Sequence, residues 1–267
     1  MTYNAINDTQ QLPCHKSRGF TLLELIAVMA IIAMLAGALV PNIFDAIKRA
    51  RADVEVKNLS SIGQSIVLSV VIKKEMPTAA TSSWVAAVQT SSDFSATDIE
   101  FNALNYRRRL IFDPRFFTTT DAVFQGHSQN YGLPNRPNSP RAMLISDLSN
   151  NVAVVANTAS VFNAIWDQTS TATLVESADL KIQRLNFTHK FHRILLSNKH
   201  ISQPYFQLEA GTTHPIPAAT DGVETSLTRY VIDNTKISLF STTGKELVHI
   251  VKSDWSARYK TDGGWTE

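Results

Sequence analysis

Glu24 is the residue most out of place in this chain. Between Phe20 and Val40, 21 consecutive residues, only Thr21 and Glu24 are not apolar. A carboxylate in a bilayer costs about 2.5–3.5 kcal/mol on insertion scales, so such groups are as a rule paired and functional. Other candidates for chemistry are weaker. His189 and His192 have the spacing that brings two imidazoles to one metal on a helix. Their surroundings read as strand, where positions three apart face opposite sides. No acidic ligand accompanies them, and no metal is expected. The chain has no nucleophile elbow, phosphate loop or dinucleotide fingerprint, so neither catalysis nor a cofactor is expected. Its single cysteine, Cys14, excludes an intrachain disulfide framework and Cys-rich metal centres. A net charge of +2 gives no bulk field for nucleic acid. Arg107-Arg108-Arg109, between Tyr106 and Phe112, is one triplet rather than a basic stripe. It reads as a solvated edge, or a helix end whose arginines are paired.

The element that holds Glu24 is a helix. Twenty-one residues at about 1.5 Å each span roughly 31 Å, the thickness of a bilayer core. A buried core helix seldom stays apolar all round for so long. A secretory signal has a shorter apolar region, although Ala36-Gly37-Ala38 imitates a cleavage site. Just before the run stand Lys16 and Arg18, then Gly19-Phe20-Thr21-Leu22-Leu23-Glu24-Leu25. This stretch closely resembles the processing site of type IV pilins and type II secretion pseudopilins, and the likeness extends to Pro41, covering about residues 14 to 45. The resemblance implies that prepilin peptidase cuts after Gly19 on the cytoplasmic side and methylates the new amine of Phe20. Glu24 then falls at the fifth position of the mature chain. A glycine at the cut lets the backbone lie close to the peptidase. Cleavage would also create an ammonium on Phe20, four residues from Glu24. We expect Glu24 to pair with the Phe20 ammonium of a neighbouring subunit, selecting register as each subunit is added.

Orientation follows from the same motif. Lys16 and Arg18 abut the span, whereas the first cation beyond Val40 is Lys48. A bare count of Lys48, Arg49, Arg51 and Lys57 would place the far side inside. The resemblance overrides that count, because processing requires a cytoplasmic leader. The body is then expected outside the inner membrane. Loss of residues 1–19 would leave a mature chain with no cysteine.

Beyond Pro41, apolar residues recur at Ile43, Ile47, Ala50, Val54, Ile62, Ile66 and Val70, mostly three or four apart. That spacing predicts one helical face, with Lys48, Arg51, Glu55 and Lys57 opposite. The helix is expected to stop before Pro77. Gly37 and Pro41 predict a kink or local unwinding inside it. In relatives this region can extend when the filament forms, and the resemblance implies the same here.

The rest reads as an α+β body. Ser82 to Gln89 and Val161 to Trp166 predict short helices. Met143 to Ile145 and Val152 to Val155, about Ser149-Asn150-Asn151, predict a hairpin. Phe191 to Leu196 and Tyr205 to Leu208 predict strands. From Tyr230 onward, turn signals at Asp233-Asn234, Thr243-Gly244 and Asp262-Gly263-Gly264 predict an antiparallel meander. The expected organisation is a leader (1–19), a membrane and filament-core helix (20–40), its amphipathic continuation (41–76) and an extracytoplasmic domain (77–267). The expected fold is pilin-like, a long N-terminal helix packed on an antiparallel sheet.

The resemblance implies assembly rather than enzymatic activity. The partners it implies are the peptidase, other pilin-like subunits, an inner-membrane assembly platform and the lipid bilayer. A pseudopilin of type II secretion is the leading expectation, and a minor type IV pilin in adhesion, motility or DNA uptake the alternative. Some major pseudopilins hold calcium in a C-terminal loop. Asp221, Glu224, Asp233, Asp254 and Asp262 are dispersed in the sequence and do not match that loop.

Overall fold

The computed structural model describes residues 21–116, 129, 131–153, 158–242 and 244–267. The chain divides into two compact units, Met1–Lys48 and Arg49–Glu267. Helix α1 (Leu22–Lys73, 52 residues) supplies the described secondary structure of the first unit and opens the second. Leu22, Leu23 and Met34 are more than 60% exposed. Helical backbone runs unbroken through Gly37 and Pro41, so the unwinding expected there is not present. The helix ends as expected. Lys74 follows in the left-handed region at φ 55°, and Pro77 lies three residues on.

In the second unit α1 turns Ala52, Glu55, Leu59, Ile62, Ile66 and Val70 inward. The spacing is helical, but the face is not the expected one at its start. Ala50 and Val54 are exposed, and Glu55, expected among the solvated charges, is 1% exposed. The cause is an ionic partner. Arg108 meets Glu55 inside the body, and that pair sets the rotation of the helix against it.

Helices α2 (Thr81–Ser91) and α3 (Ala96–Glu100) lead into a three-stranded antiparallel sheet of β1 (Arg109–Phe112), β2 (Arg141–Asp147) and β3 (Leu180–Asn186), with β2 central. Both faces of β2 are buried, which explains its continuous apolar run. Ala142 and Leu144 join α1 and α2 in one core. Met143 and Ile145 join Phe162 and Ile165 of α4 (Ala159–Asp167) in another. The expected hairpin about Ser149-Asn150-Asn151 does not form. The strand β2 pairs with β1 and β3, and Val152 packs into the α4 cluster outside any strand. Val154 and Val155 lie outside the described residues. At Gly63 an added Cβ would lie 2.7 Å from Leu185 Cδ2, so absence of a side chain lets α1 approach β3 closely.

Two four-stranded sheets complete the body. They are built from β4 (Phe191–Asn198), β5 (Tyr205–Leu208), β6 (Thr213–Pro215), β7 (Thr225–Ile232), β8 (Thr235–Ser241), β9 (Gly244–Val251), β10 (Trp255–Tyr259) and β11 (Trp265–Thr266). One has the order β11-β10-β4-β7 and the other β6-β5-β8-β9. Ile194, Leu196, Val231 and Ala257 from the first share a core with Phe206, Leu208, Ile237, Leu239 and Val251 from the second. The expected meander is therefore only partly right. The β10–β11 hairpin forms at its expected turn, and the β8–β9 hairpin closes with Ser241 paired to Gly244, Thr243 of its expected turn lying outside the described residues. Asp233-Asn234, with Asn234 at φ 63°, is instead a corner that carries the chain from one sheet to the other. Likewise β10 leaves β9 and lies parallel to β4, the one parallel pairing among the described strands. Alternation along each strand is the same in a hairpin and in a two-sheet packing, so the pattern fixes faces but not partners. The α+β class, a long N-terminal helix on antiparallel sheets, is as expected.

Candidate functional site

The candidate site is the head of α1. Thr21 is the last residue before the helix and Glu24 lies in its first turn. The Thr21 N–H donates to Glu24 Oε2 at 2.8 Å and the Thr21 hydroxyl donates to the same oxygen at 3.0 Å. The Glu24 N–H in turn donates to Thr21 Oγ1 at 3.2 Å. This is a reciprocal capping box, which satisfies two of the orphan N–H groups at a helix start. In hydrocarbon there is no water to do so, which makes the box matter more. Both contacts to the carboxylate fall on Oε2, and Oε1 has no partner among the described residues. Thus the site can hold Glu24 in place and still offer one oxygen outward. A threonine three residues before a glutamate at the start of an apolar run is legible in sequence, and it is the part of the site that motif reasoning missed.

Gly19 and Phe20, the expected cut and methylation positions, lie outside the described residues, as do Cys14, Lys16 and Arg18. Gly37 and Pro41 lie further along α1. Proline has no N–H, so the Gly37 carbonyl, four residues back, lacks its helical donor. A Cβ built at Gly37 would meet nothing within 4 Å.

The other candidates are structural. All three arginines of the basic triplet are engaged. Arg107 pairs with Glu100 at 2.7 Å, and Arg109 Nε donates to the Val152 carbonyl at 2.9 Å. Arg108 is buried, bidentate to Glu55 at 2.6 and 2.8 Å, and it also donates to the carbonyls of Asp98, Ile99 and Phe101 at the end of α3. His192 faces Asp233 at 3.3 Å while His189 is exposed, so the two imidazoles do not share a ligand. Among the described residues no three His, Cys, Asp or Glu side chains converge to hold a metal. The five dispersed carboxylates have separate surroundings. Glu224 is held by Arg258 at 2.7 Å, Asp233 by Lys190 and His192, and Asp254 by the Arg193 N–H. Asp262 caps the Gly264 N–H, and Asp221 sits in the turn closed by Thr220 and Val223. Hydrogen bonds from Ser197 and Arg258 hold the Glu224 carboxyl below its ordinary range.

One charged cluster is built on a buried carboxylate, Asp113, with two partly exposed arginines. Asp113 Oδ2 accepts from Arg115 and Arg141, each at 2.7 Å, and both arginines also reach Asn163 Oδ1 at 2.8 Å. Burial pushes the Asp113 carboxyl up, but the combined hydrogen bonds of Arg115 and Arg141 outweigh it and hold it below its ordinary value. Arg141 also lies 4.8 Å over the Trp166 ring, so the cluster fastens α4 to the first sheet.

Compared with known proteins, residues 14–40 match the family model described as the prokaryotic N-terminal methylation motif. No curated protein matches the chain, and no solved structure does. The matched motif and the long helix that carries it are consistent with the pilin and pseudopilin superfamily, and the apolar start of that helix is consistent with a single membrane span.

Proposed function

We propose that this chain is a pilin-like structural subunit, cut after Gly19, methylated on Phe20, and assembled through α1 into a filament. The finer assignment is a pseudopilin of a type II secretion system, acting in protein export. The observation that carries the reading is the methylation motif running directly into an exposed apolar helix whose first turn holds Glu24. In this reading the subunit waits in the inner membrane with its body outside. An assembly platform then transfers the helix from lipid into a core of packed N-terminal helices, so one segment serves as anchor and then as interface. Glu24 Oε1, unpartnered among the described residues, accepts the Phe20 ammonium of the neighbouring subunit. The Gly37–Pro41 stretch, short of one backbone hydrogen bond, is where the helix extends on assembly.

Intact mass of the mature protein tests the processing. A chain beginning at Phe20 with one added methyl is expected, and any other N-terminus overturns the reading. Glu24→Ala should leave cleavage intact and abolish incorporation into filaments. Deletion of the gene should abolish export of a secreted protein. If the chain is instead a component of sheared surface filaments and export is untouched, it is a minor type IV pilin.

A further inference from the structure

The body carries an apolar groove near one end of the β4–β7 pair and two apolar projections at the other. The groove, about 460 Å3, lies between the last turns of α1 and β3, an edge strand of its sheet. Leu68, Val71 and Leu185 line it, together with His189 and Lys190. Leu68 is 48% exposed there. Lys190 immediately precedes β4, and Asp233, which immediately follows β7, lines the groove as well. The opposite end of that pair bears the loop after β4 and the loop before β7. Ile201 on the first is 83% exposed and Val223 on the second 67%, the two most exposed large apolar side chains among the described residues beyond α1. Both loops are fixed from within. Buried Asn198 donates to the Ser202 and Pro217 carbonyls at 3.0 Å each and accepts the His200 N–H at 2.7 Å. The Ala219 N–H reaches the His200 carbonyl at 3.0 Å. Val223 closes a two-residue turn on Thr220 in which Asp221 and Gly222 both have positive φ, 53° and 79°. Two apolar side chains held out in water, on loops tied to each other, are pre-organised for docking.

We propose that the Ile201–Val223 projection of one copy docks in the α1–β3 groove of the next, so that bodies stack head to tail. The proposal rests on the filament reading and names the surfaces that the bodies use. The occupant is a second copy because the chain itself bears both halves of the contact. They lie at opposite ends of an eight-residue strand pair, roughly 26 Å apart at about 3.3 Å per residue. One copy can therefore engage a neighbour at each end at once. A contact between two different surfaces is heterologous, and it builds a filament when its rotation does not close a ring. The charges agree with this pairing. Asp221, at the tip of the projection, is exposed and makes no ion pair among the described residues. Lys190 and His189 are basic groups at the groove. Lys190 meets Asp233 only at 3.4 Å, and an ammonium has three donors to offer. Burial of Ile201 and Val223 against Leu68, Val71 and Leu185 supplies affinity, and the Asp221 carboxylate fixes orientation.

Cross-linking in assembled filaments tests this. With Cys14→Ser the chain has no other thiol. In that background the full chain would carry Leu68→Cys and Val223→Cys together, expressed with the native assembly machinery. Filaments would be oxidised, or treated with a short bis-thiol reagent. Head-to-tail docking joins each copy to two others, so the double variant should give dimers, trimers and longer chains, while either single variant stays monomeric. A dimer from Leu68→Cys alone means groove against groove and overturns the proposal. So does a combination of Leu68→Cys with Ile250→Cys that links as well, or filaments of the double variant that yield no linked product. Each of these outcomes leaves the filament reading intact. If the cysteine-free parent enters no filament, the functional reading fails and the contact with it. A second measurement needs no thiol. Ile201→Asp with Val223→Asp sets carboxylates against the apolar groove and should lower filament yield about tenfold or more. Adding Leu68→Lys to the same chain should recover part of the loss. All three positions are exposed, so the denaturation midpoint of the body should stay near native. An unchanged filament yield in the double aspartate variant overturns the proposal.

Discussion

Arg108 clasps Glu55 in the interior of the body, two nitrogens on two oxygens at 2.6 and 2.8 Å, with both side chains 2% exposed. The pair joins α1 to the segment between α3 and β1, and the third guanidinium nitrogen closes the open carbonyls of α3. Breaking a buried pair by removing one partner costs about 3–5 kcal/mol, because it strands the other charge. The two truncations should differ. Glu55→Leu leaves Arg108 with its carbonyls, whereas Arg108→Met strands Glu55 and frees those carbonyls as well. Arg108→Met is expected to be the more destabilising in chemical denaturation of the full chain in detergent. The double variant should recover part of the loss, as a double-mutant cycle will show.

The capping box predicts a difference between two replacements of Thr21. Thr21→Ser keeps the hydroxyl, while Thr21→Val keeps the shape and removes the two hydrogen bonds made by the hydroxyl, leaving the backbone N–H of residue 21 to Glu24. Removing such a cap costs about 1 kcal/mol. Hydrogen exchange at the amide of Glu24, read in micelles, should quicken in Thr21→Val and stay near native in Thr21→Ser.

At Gly63 the helix and β3 are too close for a branched side chain. A new Cβ would lie 2.7 Å from Leu185 Cδ2 and 3.1 Å from Gln183 Cγ. Overpacking of this kind costs about 1–3 kcal/mol. Gly63→Val should fall in that range by denaturant titration, with Gly63→Ala milder because helix propensity offsets part of the strain.

Asp113 predicts an acid limb to stability. Its folded pKa lies below the ordinary 3.8, so the unfolded chain takes up the proton first as pH falls. The contribution is complete above that ordinary value and is lost as pH drops through the depressed one. Asp113→Asn removes this titration. Denaturation midpoints measured between about pH 2 and 6 should therefore fall less steeply with acid in Asp113→Asn than in the native chain.

The sequence reveals much about α1 and less about how the body is joined. A run of 21 residues with two polar members, both near its start, is unambiguous as a helix of bilayer length. The end at Lys73 is equally legible from Pro77. The rotation of the inner half is not, because it depends on Arg108, 53 residues away in sequence and drawn in by a residue that reads as solvated. Strand positions follow from alternation, so Tyr205–Leu208 emerges at its expected limits. Partners do not follow. Asp233-Asn234 has the composition of a hairpin turn and serves as a corner, because Val231 and Ile237 bury equally well whether their strands pair or face each other. The candidate site was half legible, with Glu24 conspicuous for its charge and Thr21 overlooked as one more residue of a processing motif.

The corner at Asp233 also receives the end of α1. Lys74 Nζ donates to the Asp233 carbonyl at 2.7 Å, and Gln129 links the Lys74 carbonyl to the Ile232 N–H. Just beyond the corner, the Asn234 N–H is bonded to the Val251 carbonyl on β9. A pull along the last turns of α1 therefore arrives at a peptide corner that joins the two large sheets. Tension is divided between two hydrogen-bonded sheets at once, rather than peeling a single edge strand, which suits the body to being dragged by its helix.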